Sequence, residues 1–308
     1  MLSRRHFTQL ALASLPGASM LRAADAKPNS KFAGVQIGIN VPYSFGSPTM
    51  SADETLKGVL ELGLSAVELR TQPVEMALGL DPAVFAKPKQ GEKVDAKANA
   101  EKLREWRKSV SMDKVKDFRA KWEAAGVAIE VVKVDNLFKL ADEELDYAFT
   151  LVKALGGRAM SSEISHEESE LKRVGAFADK HQLPVGYHGH HTTTPEHWEA
   201  AFAVAKFNAA NVDLGHFVAG NNVSPVPFLK KYHDRVTHVH LKDRKFHIGR
   251  NQPFGQGDTP LVEVLRLMRD EKWNFQATIE FEYPVPEGST RMKELARCVE
   301  FCKKALES

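Results

Sequence analysis

Val236-Thr-His-Val-His-Leu-Lys-Asp243 is the stretch on which the reading of this chain turns. It has the β-branched, apolar character of a buried strand, yet it carries His238 and His240 on one face and ends in Lys242-Asp243. Packing alone gives no reason to place ligand-type residues at the C-terminal end of a strand. Two further segments end the same way. Ala210-Asn-Val-Asp-Leu-Gly-His216 precedes it and Phe275-Gln-Ala-Thr-Ile-Glu-Phe-Glu-Tyr283 follows it. Asp213, His240 and Glu280 then fall one per strand, spaced by about one β/α unit each. That is the arrangement of a metal site at the mouth of a β/α barrel.

Working outward, short apolar runs alternate with amphipathic segments. Strands are expected at Val35–Asn40, Ala66–Arg70, Val127–Val134, Gly157–Ile164 and Leu183–His191, which with the three above make eight. Helix starts are marked by the capping-box pattern Ser51-Ala-Asp-Glu54 and by Thr194-Pro195, Thr259-Pro260 and Ser224-Pro225. Gly63 and Gly126 follow helical stretches as C-terminal caps would. Eight such repeats of pattern predict a single-domain α/β fold, a closed (β/α)8 TIM barrel, rather than an open sheet. One insertion interrupts the rhythm after strand 2, from about Gln72 to Val110, rich in Lys, Ala and Glu. It leaves from the face where barrel sites lie, so a lid, an oligomer contact and a solvated excursion are all open readings.

The first 26 residues read as an export signal. Arg4-Arg5 form a charged start, Leu10 to Leu15 a short apolar stretch too brief to span a membrane, and Ala24-Asp25-Ala26 a small-x-small cleavage pattern. Ser3, Arg4, Arg5 and Phe7 resemble a twin-arginine signal, which implies a periplasmic protein. Residues 27–308 are then the barrel. This part has 39 basic and 39 acidic residues and is formally neutral. Neutrality argues against a nucleic-acid or anionic-membrane partner, because phosphate binding needs a basic surface. The only cysteines, Cys298 and Cys302, lie four apart in a helical tail, where a disulfide is geometrically poor and burial as small apolar groups is expected.

The candidate site follows from the strand ends. Mixed carboxylates and imidazoles suit Mn, Zn, Co or Fe better than Ca, which takes oxygen alone. Asp213, His240 and Glu280 are three candidate ligands. A fourth comes from Glu163 on strand 4 or His188 on strand 5, and the sequence leaves that choice open. His188 and His190 share a face if the strand continues. Lys242 is placed to face developing negative charge, or else to pair with Asp243 at the surface. Asn40 and Glu68, at the ends of strands 1 and 2, are candidates for sugar hydroxyls, or for packing and capping.

Asp213-Leu-Gly-His216 resembles the Asp-x-x-His of the xylose isomerase-like family, which includes tagatose 3-epimerases and inosose dehydratases. Val239-His-Leu-Lys-Asp243, Ile279-Glu280, Gly255-Gln-Gly257-Asp258 and Tyr187-His-Gly-His190 are similar to further motifs of that family, in the family's order, over residues 33 to 303. The resemblance implies one divalent metal ion (Mn, Zn, Co, Fe or Mg) and a small-molecule sugar or keto-sugar substrate. It also implies isomerisation, epimerisation or lyase chemistry through an enediolate, and often a homo-oligomer. On it, Asp213, His240 and Glu280 are metal ligands and His216 meets substrate. From their positions at the strand ends, Glu163 is added as a metal-ligand candidate, Glu163, His188, Glu280 and Lys242 are the catalytic candidates, and His190, Asn40 and Glu68 are further candidates to meet substrate. Epimerases of the family have a glutamate where this chain has His188. That departure favours one-sided chemistry, the elimination or addition of water, and leaves a non-catalytic carbohydrate-binding barrel as the alternative.

Overall fold

The computed structural model describes residues 27–47, 49–85 and 95–308. The proposed export signal at residues 1–26 lies outside the described residues. Eight parallel strands close on themselves: β1 (Val35–Val41), β2 (Ala66–Arg70), β3 (Ala128–Lys133), β4 (Ala159–Glu163), β5 (Val185–His188), β6 (Asn208–Asp213), β7 (Val236–Leu241) and β8 (Gln276–Ile279). Each pairs with its neighbour in chain order, and β8 returns to β1 through Ala277↔Ile37 and Ile279↔Ile39. Helices connect successive strands, so this is a single-domain (β/α)8 barrel, as the alternating pattern predicts.

The strands are almost continuously buried because the barrel interior lies on one side and the helix ring on the other. The outward faces supply Ile37, Ile39, Val67, Val132, Val185, Val212 and Val239 to the apolar core. The inward faces are unusually polar. Asn40, Glu68, Ser161, Asn211, His238, His240 and Thr278 are all fully enclosed. Register brings the chemistry into rows: Asp213 opposite His240, His240 opposite Thr278, Glu163 opposite His188, and Asn40 opposite Glu68. Two register shifts occur, between Val67 and Glu68 and between Ala210 and Asn211. Each locally re-aims the side chain that follows.

Local signals hold in detail, with exceptions. Ser51 and Glu54 form the expected capping box, and Gly63 and Gly126 adopt left-handed backbone after their helices. Helix Pro195–Val204 starts at its proline with Thr194 as cap. Thr259 caps no helix. The helix Leu261–Asp270 follows Pro260, and the Thr259 hydroxyl instead accepts from the Arg244 N–H. Three strands stop well before the C-terminal ends of their expected runs. β5 stops at His188, so His190 and His191 lie in the following turn. β6 stops at Asp213, and His216 belongs to the helix Leu214–Asn221. β8 stops just before Glu280.

The insertion after β2 includes the helices Thr71–Ala77 and Ala96–Ser109; residues 86–94 are outside the described set. Arg107 anchors the second helix to the barrel wall. It donates to Glu75 at 2.8 Å and Glu144 at 3.2 Å, and Tyr147 donates to Glu75 at 3.3 Å. Glu75 is fully enclosed, so losing the guanidinium strands a buried charge. Arg107→Ala is expected to destabilise the fold by about 3 kcal/mol and to expose Ala96–Ser109 to limited proteolysis. Urea unfolding and protease mapping check this. Cys298 and Cys302 are both buried and unpaired in the helix Arg291–Glu307, and burial pushes the Cys298 thiol up to about 12. The reactive thiolate is therefore scarce at pH 8. Alkylation of either cysteine is expected to wait on global unfolding, so its rate should rise in parallel with loss of the circular-dichroism signal.

Candidate metal and active site

The Asp-x-x-His motif works through a helix start. Asp213 ends β6 and caps the helix Leu214–Asn221, its Oδ1 accepting the His216 N–H at 2.7 Å. One carboxylate oxygen is thereby fixed, and Oδ2 is aimed into the barrel mouth. The next β/α loop is tied by Asp243. Its Oδ2 accepts from the N–H groups of Gly255 at 2.8 Å and Gly257 at 2.9 Å, and its Oδ1 from Thr259 at 3.2 Å. A Cβ on Gly257 would stand 1.9 Å from Asp243 Oδ1, which is why glycine is needed there. Asp243 therefore does not pair with Lys242.

Four side chains from four strand ends converge: His188, Asp213, His240 and Glu280, all buried. His188 Nε2 lies 3.5 Å from Asp213 Oδ2 and 3.8 Å from Glu280 Oε2. His240 Nδ1 lies 3.8 Å from Asp213 Oδ2 and 3.1 Å from Glu280 Oε2. Donors bound at about 2.1 Å around a tetrahedral ion stand about 3.4 Å apart, so these spacings fit one cation held by two imidazoles and two carboxylates. That donor set suits Zn, Mn, Co or Fe. His188, not Glu163, is the side chain that stands with Asp213, His240 and Glu280.

Each donor is oriented from behind. Asn40 donates to Glu280 Oε1 at 2.9 Å, leaving Oε2 for the centre. Glu68 Oε2 lies 2.5 Å from His240 Nε2. Both Asn40 and Glu68 are completely enclosed, so neither reaches a substrate hydroxyl. The expectation that they meet substrate gives way because both side chains are fully enclosed and already engaged, Asn40 by Glu280 and Glu68 by His240. Lys242 is also buried. Its Nζ contacts Asp213 Oδ2 at 3.0 Å, Glu280 Oε2 at 2.8 Å and Glu282 Oε2 at 2.8 Å. Those carboxylates outweigh burial and raise its pKa, so it stays an ammonium that balances charge. Burial disfavours the charged form of His240, but the carboxylates of Glu280 and Glu68 push it up to about 10. Glu280 is held well below the usual carboxylate range, against its burial, by Lys242 and His240.

His216 is not free either. Its Nε2 faces Lys242 Nζ at 3.1 Å and its Nδ1 faces Arg244 Nη1 at 2.6 Å. Burial pushes its pKa down to about 3, with Lys242 acting in the same direction against Asp213. A neutral imidazole facing two cations can accept a hydrogen bond from one of them only.

A second group faces outward. Glu163 Oε2 lies 3.1 Å from His188 Nδ1 and 2.7 Å from His190 Nε2, and its Oε1 accepts from Lys133 Nζ at 2.5 Å. Lys133 is buried, whereas the Glu163 and His190 side chains are 48% and 50% exposed, enough to touch a bound molecule. Burial works against the Glu163 carboxylate, but Lys133 and the two histidines hold it far below its ordinary pKa. A cavity of about 570 Å³ opens against this pair, lined also by Asn136, Phe138, Ser165 and Thr193. Lys133, Asn211, Arg244 and Glu282 join these networks and were missed from sequence. Lys133, a lysine at a strand end like Lys242, carried a usable signal. Asn211 and Glu282 sit within the quoted strand motifs but give no signal of their own.

The family model for the xylose isomerase-like TIM barrel matches residues 98–304. An inosose dehydratase of Clostridium botulinum (strain Eklund 17B / Type B) is 38% identical over 79 residues, which span 24% of this chain and 26% of that protein. Among solved structures, a xylose isomerase domain protein from Planctomyces limnophilus superposes with a TM-score of 0.61 at 16% identity, covering 89% of this chain and 97% of that one. The probable 3-DHS dehydratase of Bacillus anthracis gives 0.60 at 11% identity, covering 86% and 98%. A D-psicose 3-epimerase from Clostridium cellulolyticum H10 gives 0.59 at 12% identity, covering 89% and 100%. At those identities the structures speak to the fold, while the model match covers well over half of the sequence. The chain belongs to the xylose isomerase-like TIM barrel family, whose members include sugar isomerases, epimerases and a dehydratase.

Proposed function

We propose that this protein is a metal-dependent sugar enzyme of the periplasm that moves a proton at a carbon beside a carbonyl, in elimination or addition of water on a keto-sugar. The observation that carries the reading is the half-exposed Glu163–His190 pair, 2.7 Å apart, set against a cavity and joined through His188 to the four-donor cluster. A divalent ion held by His188, Asp213, His240 and Glu280 would polarise a carbonyl and the hydroxyl next to it.

The protein's own groups divide the remaining work. His190 is the acid/base, since it is exposed and hydrogen-bonded to an anion that orients its ring. Glu163 spends its oxygens on Lys133, His188 and His190, so it aims the imidazole and balances its charge as the proton arrives. Glu280 is engaged by Asn40, His240 and Lys242. With His190 as the single proton carrier, elimination or hydration is favoured over epimerisation, which needs one on each face of the carbon. The short stretch of similarity to an inosose dehydratase agrees in reaction class. The twin-arginine pattern at residues 3–7 supports export, and hence an unphosphorylated sugar.

Two experiments test this. Purified protein should carry about one divalent ion per chain by elemental analysis, as a single four-donor site requires. Asp213→Ala, His240→Ala and Glu280→Ala should each lose most of it, and full retention in all three would refute the ligand set. Incubation with ketohexoses and 3-keto-glycosides in deuterated water should show exchange at carbon. His190→Ala should slow that exchange by about 10²-fold or more, the usual worth of a general acid/base, while metal content stays unchanged. Exchange at the wild-type rate in that variant would remove His190 from the chemistry.

A further inference from the structure

We propose that Glu68 is a positioning residue: with a divalent ion bound, its enclosed carboxylate holds His240 as the Nε2–H tautomer, so that Nδ1 would present its lone pair to the ion between Asp213 and Glu280. The inference rests on the metal reading above and concerns a residue that touches neither substrate nor ion.

The geometry is specific. Glu68 lies on the inward face of β2, one residue past the register shift at Val67/Glu68, with no surface exposed. Its Oε2 reaches His240 Nε2 at 2.5 Å and lies 3.5 Å from His238 Nε2. Its Oε1 has no hydrogen-bond partner among the described residues. Enclosing a carboxylate without full hydrogen bonding costs several kcal/mol, and a glutamine or an aliphatic residue would avoid that charge. Some benefit must offset it. An anion behind an imidazole fixes ring orientation and tautomer and makes the opposite nitrogen a better donor.

Two neighbouring features agree. Asn211 places its side-chain amide 3.1 Å from the same His240 nitrogen, and its Oδ1 is otherwise without a partner among the described residues. The amide orientation that turns Oδ1 toward an Nε2–H gives that hydrogen a second acceptor beside Glu68. His188 repeats the arrangement in mirror form: Glu163 sits behind Nδ1 at 3.1 Å and leaves Nε2 for the centre. The two histidines are thus set to donate through different ring nitrogens, each chosen by the carboxylate behind it. A purely structural role for Glu68, as ion-pair partner of a protonated His240, requires hydrogen on both nitrogens instead.

Long-range proton–nitrogen correlation spectra of the zinc-loaded wild-type protein should show His240 coordinated through Nδ1 and protonated at Nε2. By chelator competition, Glu68→Leu should weaken zinc binding about 10- to 100-fold. Glu68→Gln, which keeps an acceptor of the same shape, should fall between and guards against a folding defect in the leucine variant. Coordination through Nε2 overturns the proposal. So does wild-type zinc affinity in Glu68→Leu alongside its loss in His240→Ala, a result that leaves the metal site itself standing. A wild-type protein that takes up no zinc, manganese or cobalt removes both readings together.

Discussion

Two carboxylates, Asp213 and Glu280, are buried with their inward oxygens both within 3.0 Å of one lysine nitrogen. Like charges this close in a dry site are tolerated only when cations surround them. Lys242 supplies one positive charge, and His240 stands against both oxygens. The rest of the mouth follows from this requirement. Arg244 and Lys242 grip His216, and Glu282 balances Lys242 from outside. Lys133 balances Glu163 on the far side. The site is a charge lattice in which a divalent ion fits as one more cation among anions already held in place.

The lattice stands on an unusual foundation. Most barrels fill their interior with layers of branched apolar residues. Here the layer beneath the mouth is Glu68, His238, Asn211, Ser161 and Thr278. A polar layer is acceptable in a core only if its members satisfy one another. His238 donates to or accepts from Thr237 at 2.8 Å, Asn211 reaches Ser161 at 3.3 Å, and Glu68 reaches His240, while Glu68 Oε1, Asn211 Oδ1 and His238 Nε2 have no hydrogen-bond partner among the described residues. This layer orients the ligand side chains from below, which apolar packing could not do. The outer shell of valines, isoleucines and leucines supplies the stability that such a centre does not.

Function then divides by depth. His188, Asp213, His240 and Glu280 are enclosed and rigidly braced, as a metal centre requires. Glu163 and His190 stand half in solvent beside the cavity, where a sugar can reach them. His188 joins the two zones, with one ring nitrogen toward each. On the proposed reading, the substitution that sets this chain apart from epimerases of the family would place a histidine between the cation and the proton carrier. Among the described residues no helix is long and apolar enough to cross a membrane.

Much of this was legible in the linear sequence. The 2-fold and 3.6-fold periodicities gave eight strands and their helices, because burial on one face is a local demand. The carboxylates and imidazoles at successive strand ends gave the mouth, because a barrel brings equivalent positions together whatever lies between them. Which residues face substrate was not legible. Glu68 and Asn40 lie on barrel strands as Asp213 does, yet they are fully enclosed behind His240 and Glu280; the barrel's closure decides that, and it depends on pairing between distant segments. Nor did the chain order reveal that β5 ends at His188 and releases His190 into the cavity, or that Lys133 and Glu163 meet across neighbouring strands. The sequence by itself determined the architecture and the inventory of ligand-type groups. The tertiary structure decided which of them touch, because contact between side chains as far apart as 240 residues is set by how the strands close and not by spacing along the chain.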